Sequence, residues 1–145
     1  MELKIKRFCE LSADELYEIY KLRVAVFVVE QNCPYQEVDK HDRAAVHVWF
    51  EENGEMIAYL RVLPRGTVYE NVSIGRVISV RRREGIGLKI VKEGIEIAKR
   101  EFGAEKIEIE AQTYAKALYE KAGFVQASDE FIEDGIPHVK MELEI

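Results

Sequence analysis

Apolar and polar positions along the 145-residue chain change period several times, and each change marks an element. Leu3–Phe8 (LKIKRF) reads as a first strand. Ser12 and Glu15 then stand at capping-box spacing, with Leu11 and Leu16 placed as a hydrophobic staple. Leu16, Ile19, Tyr20, Arg23, Val24 and Phe27 recur at helical spacing, which predicts a helix to about Val28 or Val29. Glu30–Asp42 has no period and reads as a loop with room for a short helical turn. Alternation resumes through Val46, Val48 and Phe50, breaks at Asn53-Gly54, and continues through Met56, Ala58, Leu60 and Val62, the pattern of a tight hairpin. A strand follows at Val72–Val80. Ile86, Ile90, Val91, Gly94, Ile95, Ala98 and Phe102 share one face of a long helix, with Gly103 as its stop. Lys106–Ala111 alternates as a strand, Tyr114–Ala122 is a short helix ended by Gly123, and FVQASDEFIE and HVKMELEI read as two strands around the turn EDGIP. The order β α β β β α β α β β predicts an α/β protein with a mixed sheet. Strand 72–80, helix 86–102 and strand 106–111 should form a parallel crossover.

Length and composition refine this picture only slightly. A chain of 145 residues with 48% apolar residues suits a single domain over 1–145 with a packed core. The net charge of −6 argues against nucleic acid as the main partner. No apolar run reaches the roughly 18 residues of a membrane span, so no membrane partner is expected. The chain shows no signal-peptide pattern. Its two cysteines, Cys9 and Cys33, are therefore expected to be reduced thiols in a cytoplasmic protein. No Cys/His spacing suggests a metal.

Against that acidic background the stretch RRREGIG, Arg81 to Gly87, joins a predicted strand to a predicted helix. Backbone N–H groups at a helix start lack intrahelical partners, and the macrodipole adds about half a positive charge there. Glycines let an anion approach the backbone, and arginines add charge-assisted hydrogen bonds, so the corner suits a phosphate or pyrophosphate. A nucleotide P-loop would need Lys-Ser/Thr after its last glycine, and a dinucleotide turn would need a glycine where Ile90 stands; both fail.

The pattern Arg82-x-x-Gly85-x-Gly87 resembles the R/Q-x-x-G-x-G/A signature of the GNAT superfamily of N-acetyltransferases. KALYEKAGF (Lys116–Phe124) looks like the L-Y-E-K-x-G-F element of the same superfamily and follows the second crossover strand, as that fold requires. LRVAVFVVEQNCPYQEVD (Leu22–Asp39), IGRV (Ile74–Val77), Ala111-Gln112 and EDGIPHVKM (Glu133–Met141) are similar to stretches of its ElaA-like branch. The resemblance covers nearly the whole chain and implies a GNAT fold with acetyl-CoA as cosubstrate and no metal. It also implies direct transfer of the acetyl group to a primary amine of a small molecule or peptide in a ternary complex. A non-catalytic acyl-CoA sensor or partner module is the rival reading. Dimers are common in this family, and a homodimer is left open.

Carried over by position, the resemblance places the thioester and pantetheine on Gly75, Arg76 and Val77. It places the phosphates on Arg82, Arg83, Glu84, Gly85, Ile86, Gly87 and Leu88. Tyr119 matches the tyrosine that protonates the leaving thiolate; a phenol with a pKa near ~10 shares a proton well with a thiol. Glu108, on one strand face with Glu110, roughly matches an acidic position that serves as base in some members. His41 and His138 are further candidates by pKa. The acceptor pocket should be built from Phe27–Asp42 and the EDGIPH turn, with Glu30, Glu37, Asp39 and Asp42 giving an acidic mouth that attracts a cationic amine. His138 belongs to that pocket. Strict alternation puts Arg76 on one face with Ile74, Ile78 and Val80, where it needs a partner: a substrate carboxylate, or a buried one such as Glu37. Cys33 has no nearby base in the sequence and reads as a structural thiol.

Overall fold

The computed structural model describes residues 1–81 and 84–145, so Arg82 and Arg83 of the expected phosphate corner lie outside the described residues. Eight strands form one sheet: β1 (Glu2–Arg7), β2 (Val46–Glu52), β3 (Glu55–Leu63), β4 (Val72–Ser79), β5 (Lys106–Gln112), β6 (Val125–Gln126), β7 (Phe131–Glu133) and β8 (Ile136–Glu144). Their order is β1-β2-β3-β4-β5-β8-β6, with β7 paired to β8. Among the described residues only the β4–β5 contact is parallel; the other pairings are antiparallel. The expected mixed sheet and its crossover are both present.

Helices cover both faces. α1 (Ala13–Val24) starts as its sequence predicts: Ser12 Oγ accepts from the Glu15 amide at 3.0 Å, and Glu15 Oε1 accepts from the Ser12 amide at 2.8 Å. The helical path does run beyond Val24, but as a wider π-helical stretch over Ala25–Glu30. Such widened turns are frequent at functional sites. α1 packs through Ile19 on Trp49, Tyr59 and Ile78. On the other face, α2 (Ile86–Phe102) buries Ile86, Ile90, Val91, Ile95, Ile97 and Ala98 against β2, β3, β4 and β5. Gly94 is where this helix comes closest to the sheet: a Cβ there would meet the Leu60 methyls at 3.0 and 3.1 Å and Ile74 Cδ1 at 3.2 Å. Gly103 ends the helix at φ 56°, and Arg65 donates to the terminal carbonyls of Phe102 and Gly103 at 2.6 and 2.7 Å. The short α3 (Lys116–Lys121) lies on the same side as α2.

Two departures from simple alternation matter. The penultimate strand is broken into β6 and β7. Between them Ser128 Oγ accepts from the Lys140 amide at 2.9 Å, a place a ladder carbonyl would otherwise fill. The second departure is a β-bulge in β4. Tyr59 pairs with Ile78 but Arg61 with Gly75, so Arg76 and Val77 together stand opposite Leu60. Arg76 takes the left-handed φ of 53° that accommodates the extra residue. The expectation that Ile74, Arg76, Ile78 and Val80 share a face is therefore corrected. Ile74 packs under α2, whereas Ile78 lies in the α1 cluster with Trp49 and Tyr59. One inserted residue flips every side chain beyond it.

Candidate active site

Pairing between β4 and β5 is confined to Val72↔Ile107 and Ser73↔Glu108. Beyond Ser73 the strands part at the bulge, and a cavity of about 540 Å³ opens there. Ser73, Ile74, Gly75, Arg76 and Val77 line it from β4, and Glu110 and Gln112 from β5. Phe27 reaches it from the π-helical stretch, Tyr119 from α3, and Glu133, Asp134 and His138 from the β7–β8 hairpin. The space over the Gly75 Cα is open to 4 Å, so a ligand can lie against that backbone.

The phosphate corner adjoins the same strand end. Gly85 precedes α2 at φ 74°; no side chain caps the helix, and its first turn carries no acidic residue. Its first amides are thus open to an anion among the described residues. A Cβ on Gly87 would first meet Leu118 and the Ser79 Cβ, at 3.6–3.7 Å, so Gly87 packs between β4 and the helix that carries Tyr119. Ile86 is buried in the core and Glu84 is exposed. Arg81, the described arginine of the run, donates to Glu52 at 2.6 Å.

Tyr119 is 9% exposed and packs edge-on against Phe124 with ring centroids 5.9 Å apart. Burial raises its pKa well above that of a free phenol, so it carries its proton at neutral pH. Glu108 is bonded to the Asn71 side-chain amide and is not among the residues lining the cavity; Glu110, two positions along the same strand face, is. The position of the strand separation decides between the two. Glu108 is the last β5 residue paired to β4, and Glu110 faces the gap.

The loop acids have a different job from the one expected of them. Glu37 is 2% exposed and Asp42 1%. Arg23, fully buried, donates from Nε to both Glu37 carboxylate oxygens at 3.0 Å and from Nη1 to Asp42 at 2.6 Å. Arg61 holds Asp39 at 2.7 and 2.8 Å and Asp42 at 2.9 Å. Arg76 holds Glu37 at 2.6 Å and stacks on Tyr35. Of the two partners open to Arg76, the structure selects Glu37, and Glu37 is closed to a ligand rather than offered to one. Burial raises the Asp39 pKa, but the Arg61 hydrogen bond and charge prevail and bring it down to about 2. Glu30 sits exposed at the end of the π-helical stretch, outside the cavity lining.

Beside Asp39, the acids lining the cavity are Glu110 and, from the EDGIPH turn expected to form part of the pocket, Glu133 and Asp134. Tyr69 lines the cavity with Glu110, and burial, then the Glu110 charge, raises its pKa far above that of a free phenol. Glu133, on the exposed rim, is pushed up to about 7, first by its hydrogen bond to Glu110, then by burial and by the charge of Glu110. His138 Nδ1 donates to the Ile136 carbonyl at 2.7 Å and its ring stacks on Phe131. His41 also lines the cavity. Buried Cys33 donates its thiol to the Asp134 carbonyl at 3.5 Å, tying the loop to the hairpin. Among the described residues no helix is long and apolar enough to cross a membrane.

Comparison with known proteins agrees with this geometry. Residues 12–145 match the model of the acetyltransferase (GNAT) domain. The chain is 42% identical over its full length to a UPF0039 protein of Schizosaccharomyces pombe, covering 98% of that protein. It is 37% identical to protein ElaA of Escherichia coli, over 94% of this chain and 92% of ElaA. The crystal structure of Escherichia coli ElaA superposes with a TM-score of 0.91 at 35% identity, and so does that of an acyl-CoA N-acyltransferase from Pseudomonas aeruginosa; each alignment covers 99% of both chains. With a sheet that parts at a bulged strand beside an uncapped helix start, and with these relatives over its whole length, the chain belongs to the GNAT acetyltransferase family.

Proposed function

We propose that this protein transfers the acetyl group of acetyl-CoA directly to a primary amine of a small molecule or peptide, both substrates being bound together. The observation that carries this reading is the separation of β4 from β5 after Ser73, which leaves a cavity with Gly75–Val77 on one side and Glu110 on the other. A thioester arm laid against β4 finds open space over Gly75 and backbone groups freed from the β5 ladder. Amides of Gly85–Leu88 at the α2 start suit the diphosphate.

Tyr119 is the group we assign to the leaving sulfur. Its proton is held firmly by burial, so donation to sulfur must be coupled to loss of a proton from the attacking nitrogen, which restores the phenol. The test is release of free CoA from acetyl-CoA over a panel of amines, with product mass checked. Tyr119→Phe should keep acetyl-CoA binding and lose rate on the order of 10²-fold. Gly87→Glu should abolish binding by bulk and charge, whereas Gly87→Ala, whose methyl meets only ordinary contacts, should bind. Tight binding of CoA without turnover on any amine would make the protein a sensor. Unchanged turnover in Tyr119→Phe would remove that residue from the mechanism.

A further inference from the structure

Gln31 and Gln112 stand 81 residues apart, in two of the stretches that resemble the ElaA-like branch, and the fold brings their side chains together across the cavity. Gln31 Nε2 donates to Gln112 Oε1 at 3.1 Å, and Gln112 Nε2 donates back to Gln31 Oε1 at 3.2 Å. We infer that this carboxamide pair is the part of the site that reads the acceptor: it parts to admit a secondary amide, so the amine acetylated is one that carries a peptide group. The inference rests on the acyl-transfer reading given under Proposed function and deepens it by naming the class of acceptor.

The two side chains come from opposite sides of the gap. Gln31 caps the end of the π-helical stretch. Gln112 ends β5, on the same strand face as Glu110 and four residues past Glu108, the last β5 residue paired to β4. β8 holds it there with His138 as its register partner. Both glutamines are half-buried, and both line the cavity. Among the described residues they are the only carboxamides in that lining.

The pair is poorly suited to holding the wall together. At a half-buried site water competes for both hydrogen bonds, so their net contribution to stability is small. The segment that carries Gln31 is anchored without them. Cys33 donates its thiol to the Asp134 carbonyl at 3.5 Å, and Glu37 is held by Arg23 and Arg76. The pair can therefore open while the loop stays in place.

Its chemistry suits an amide. Each carboxamide has two N–H donors and an oxygen with two lone pairs, and the mutual bonds use one donor and one lone pair of each. A trans peptide group presents its N–H and C=O on opposite edges of a plane. Set between the two side chains, it donates to one oxygen and accepts from the other nitrogen, which replaces both bonds that opening breaks. An ester replaces one of them and a hydrocarbon neither, so polar groups are left unpaired in a partly desolvated cavity. The charged donors of the wall do not compete for this role. Arg61 and Arg76 are committed to Asp39, Asp42 and Glu37, and His138 Nδ1 donates to the Ile136 carbonyl.

The experiment measures kcat and KM for the full chain with acetyl-CoA. The acceptors are the N-methylamide, N,N-dimethylamide and methyl ester of glycine and of β-alanine, with 1,4-diaminobutane as an amide-free control. Within each series the amine and the spacer are the same, and the amide N–H is present only in the N-methylamide. The parent should prefer the N-methylamide over the ester and the dimethylamide by about five- to tenfold in kcat/KM, carried by KM rather than kcat. Gln31→Met and Gln112→Met keep the length of the side chain and remove its amide. Each should bring that preference below about twofold, with acetyl-CoA affinity and circular dichroism unchanged. The parent's own ratio needs no variant, so the inference can fail even where a variant does not fold. Equal use of N-methylamide and ester by the parent, or turnover of 1,4-diaminobutane alone, overturns the amide reading and leaves acyl transfer intact. A preference that survives in both variants does the same, as do variants that gain equally on every acceptor, which would make the pair a strap across the entrance. Acetyl-CoA binding without turnover of any acceptor overturns the transferase reading and this one with it.

Discussion

Replacing Arg23 with methionine tests how the cavity wall is held. Arg23, Arg61 and Arg76 face Glu37, Asp39 and Asp42 in a network with matched charge. Arg23 is fully buried, and Glu37 and Asp42 are within 2% of it. Methionine keeps most of the volume but leaves one buried negative charge unmatched. Breaking a buried ion pair on one side costs about 3–5 kcal/mol. Glu37 keeps Arg76 at 2.6 Å and Asp42 keeps Arg61 at 2.9 Å, which places this case at the lower end, about 3 kcal/mol. For a chain of this size that is a fall of roughly 10 °C in Tm. Trp49 is the sole tryptophan and fully buried, so its fluorescence reports urea unfolding directly. A loss below about 1 kcal/mol at pH 7 would refute the account.

Two further outcomes follow from packing and titration. Gly94→Val pushes a branched side chain into Leu60 and Ile74, already within 3.0–3.2 Å of an ideal Cβ; it should destabilise by about 1–3 kcal/mol, and an unchanged urea midpoint would show that α2 can lift off the sheet at no cost. His47 is buried and neutral, its Nε2 donating to the Asp42 carbonyl at 2.9 Å and its Nδ1 accepting from the Tyr59 hydroxyl at 2.7 Å, and burial lowers its pKa below 6.5. The unfolded chain therefore takes up a proton near 6.5 that the native state refuses, so stability is complete above that pH and falls as pH drops below it. His47→Gln should flatten that slope between pH 6.5 and 5, and an unaltered slope would assign it to other groups.

Much of this architecture was legible because local signals and tertiary packing agree. The capping box at Ser12, the Asn53-Gly54 turn with both residues at positive φ, and the apolar face of α2 each specify an element without help from distant residues. The site was less legible because its details depend on registers between strands far apart in sequence. Glu108 and Glu110 alternate onto the same face, and only the point at which β4 leaves β5 distinguishes them. Glu133 reaches the cavity that Glu110 lines through two successive antiparallel pairings, β7 on β8 and β8 on β5. The loop acids Glu37 and Asp42 looked like ligands because nothing local marks Arg23 and Arg61 as their partners, 14 and 19 residues away.

The bulge in β4 connects these features. A non-glycine residue at φ 53° costs about 1–3 kcal/mol, and the surroundings must supply that. They do so through the Arg76 side chain, which bonds Glu37 at 2.6 Å, the Glu37 carbonyl at 2.8 Å and stacks over Tyr35. Those contacts also draw the 33–39 loop across the end of the sheet, where Cys33, Tyr35 and Asp39 become cavity wall. The same insertion turns Ile78 toward α1 and lets β4 diverge from β5. Thus the opening and part of its wall depend on one backbone irregularity, while Arg23 and Arg61 share with Arg76 the neutralisation of the loop acids. That leaves Glu110, Glu133 and Asp134 as the cavity-lining acids that pair with no guanidinium among the described residues.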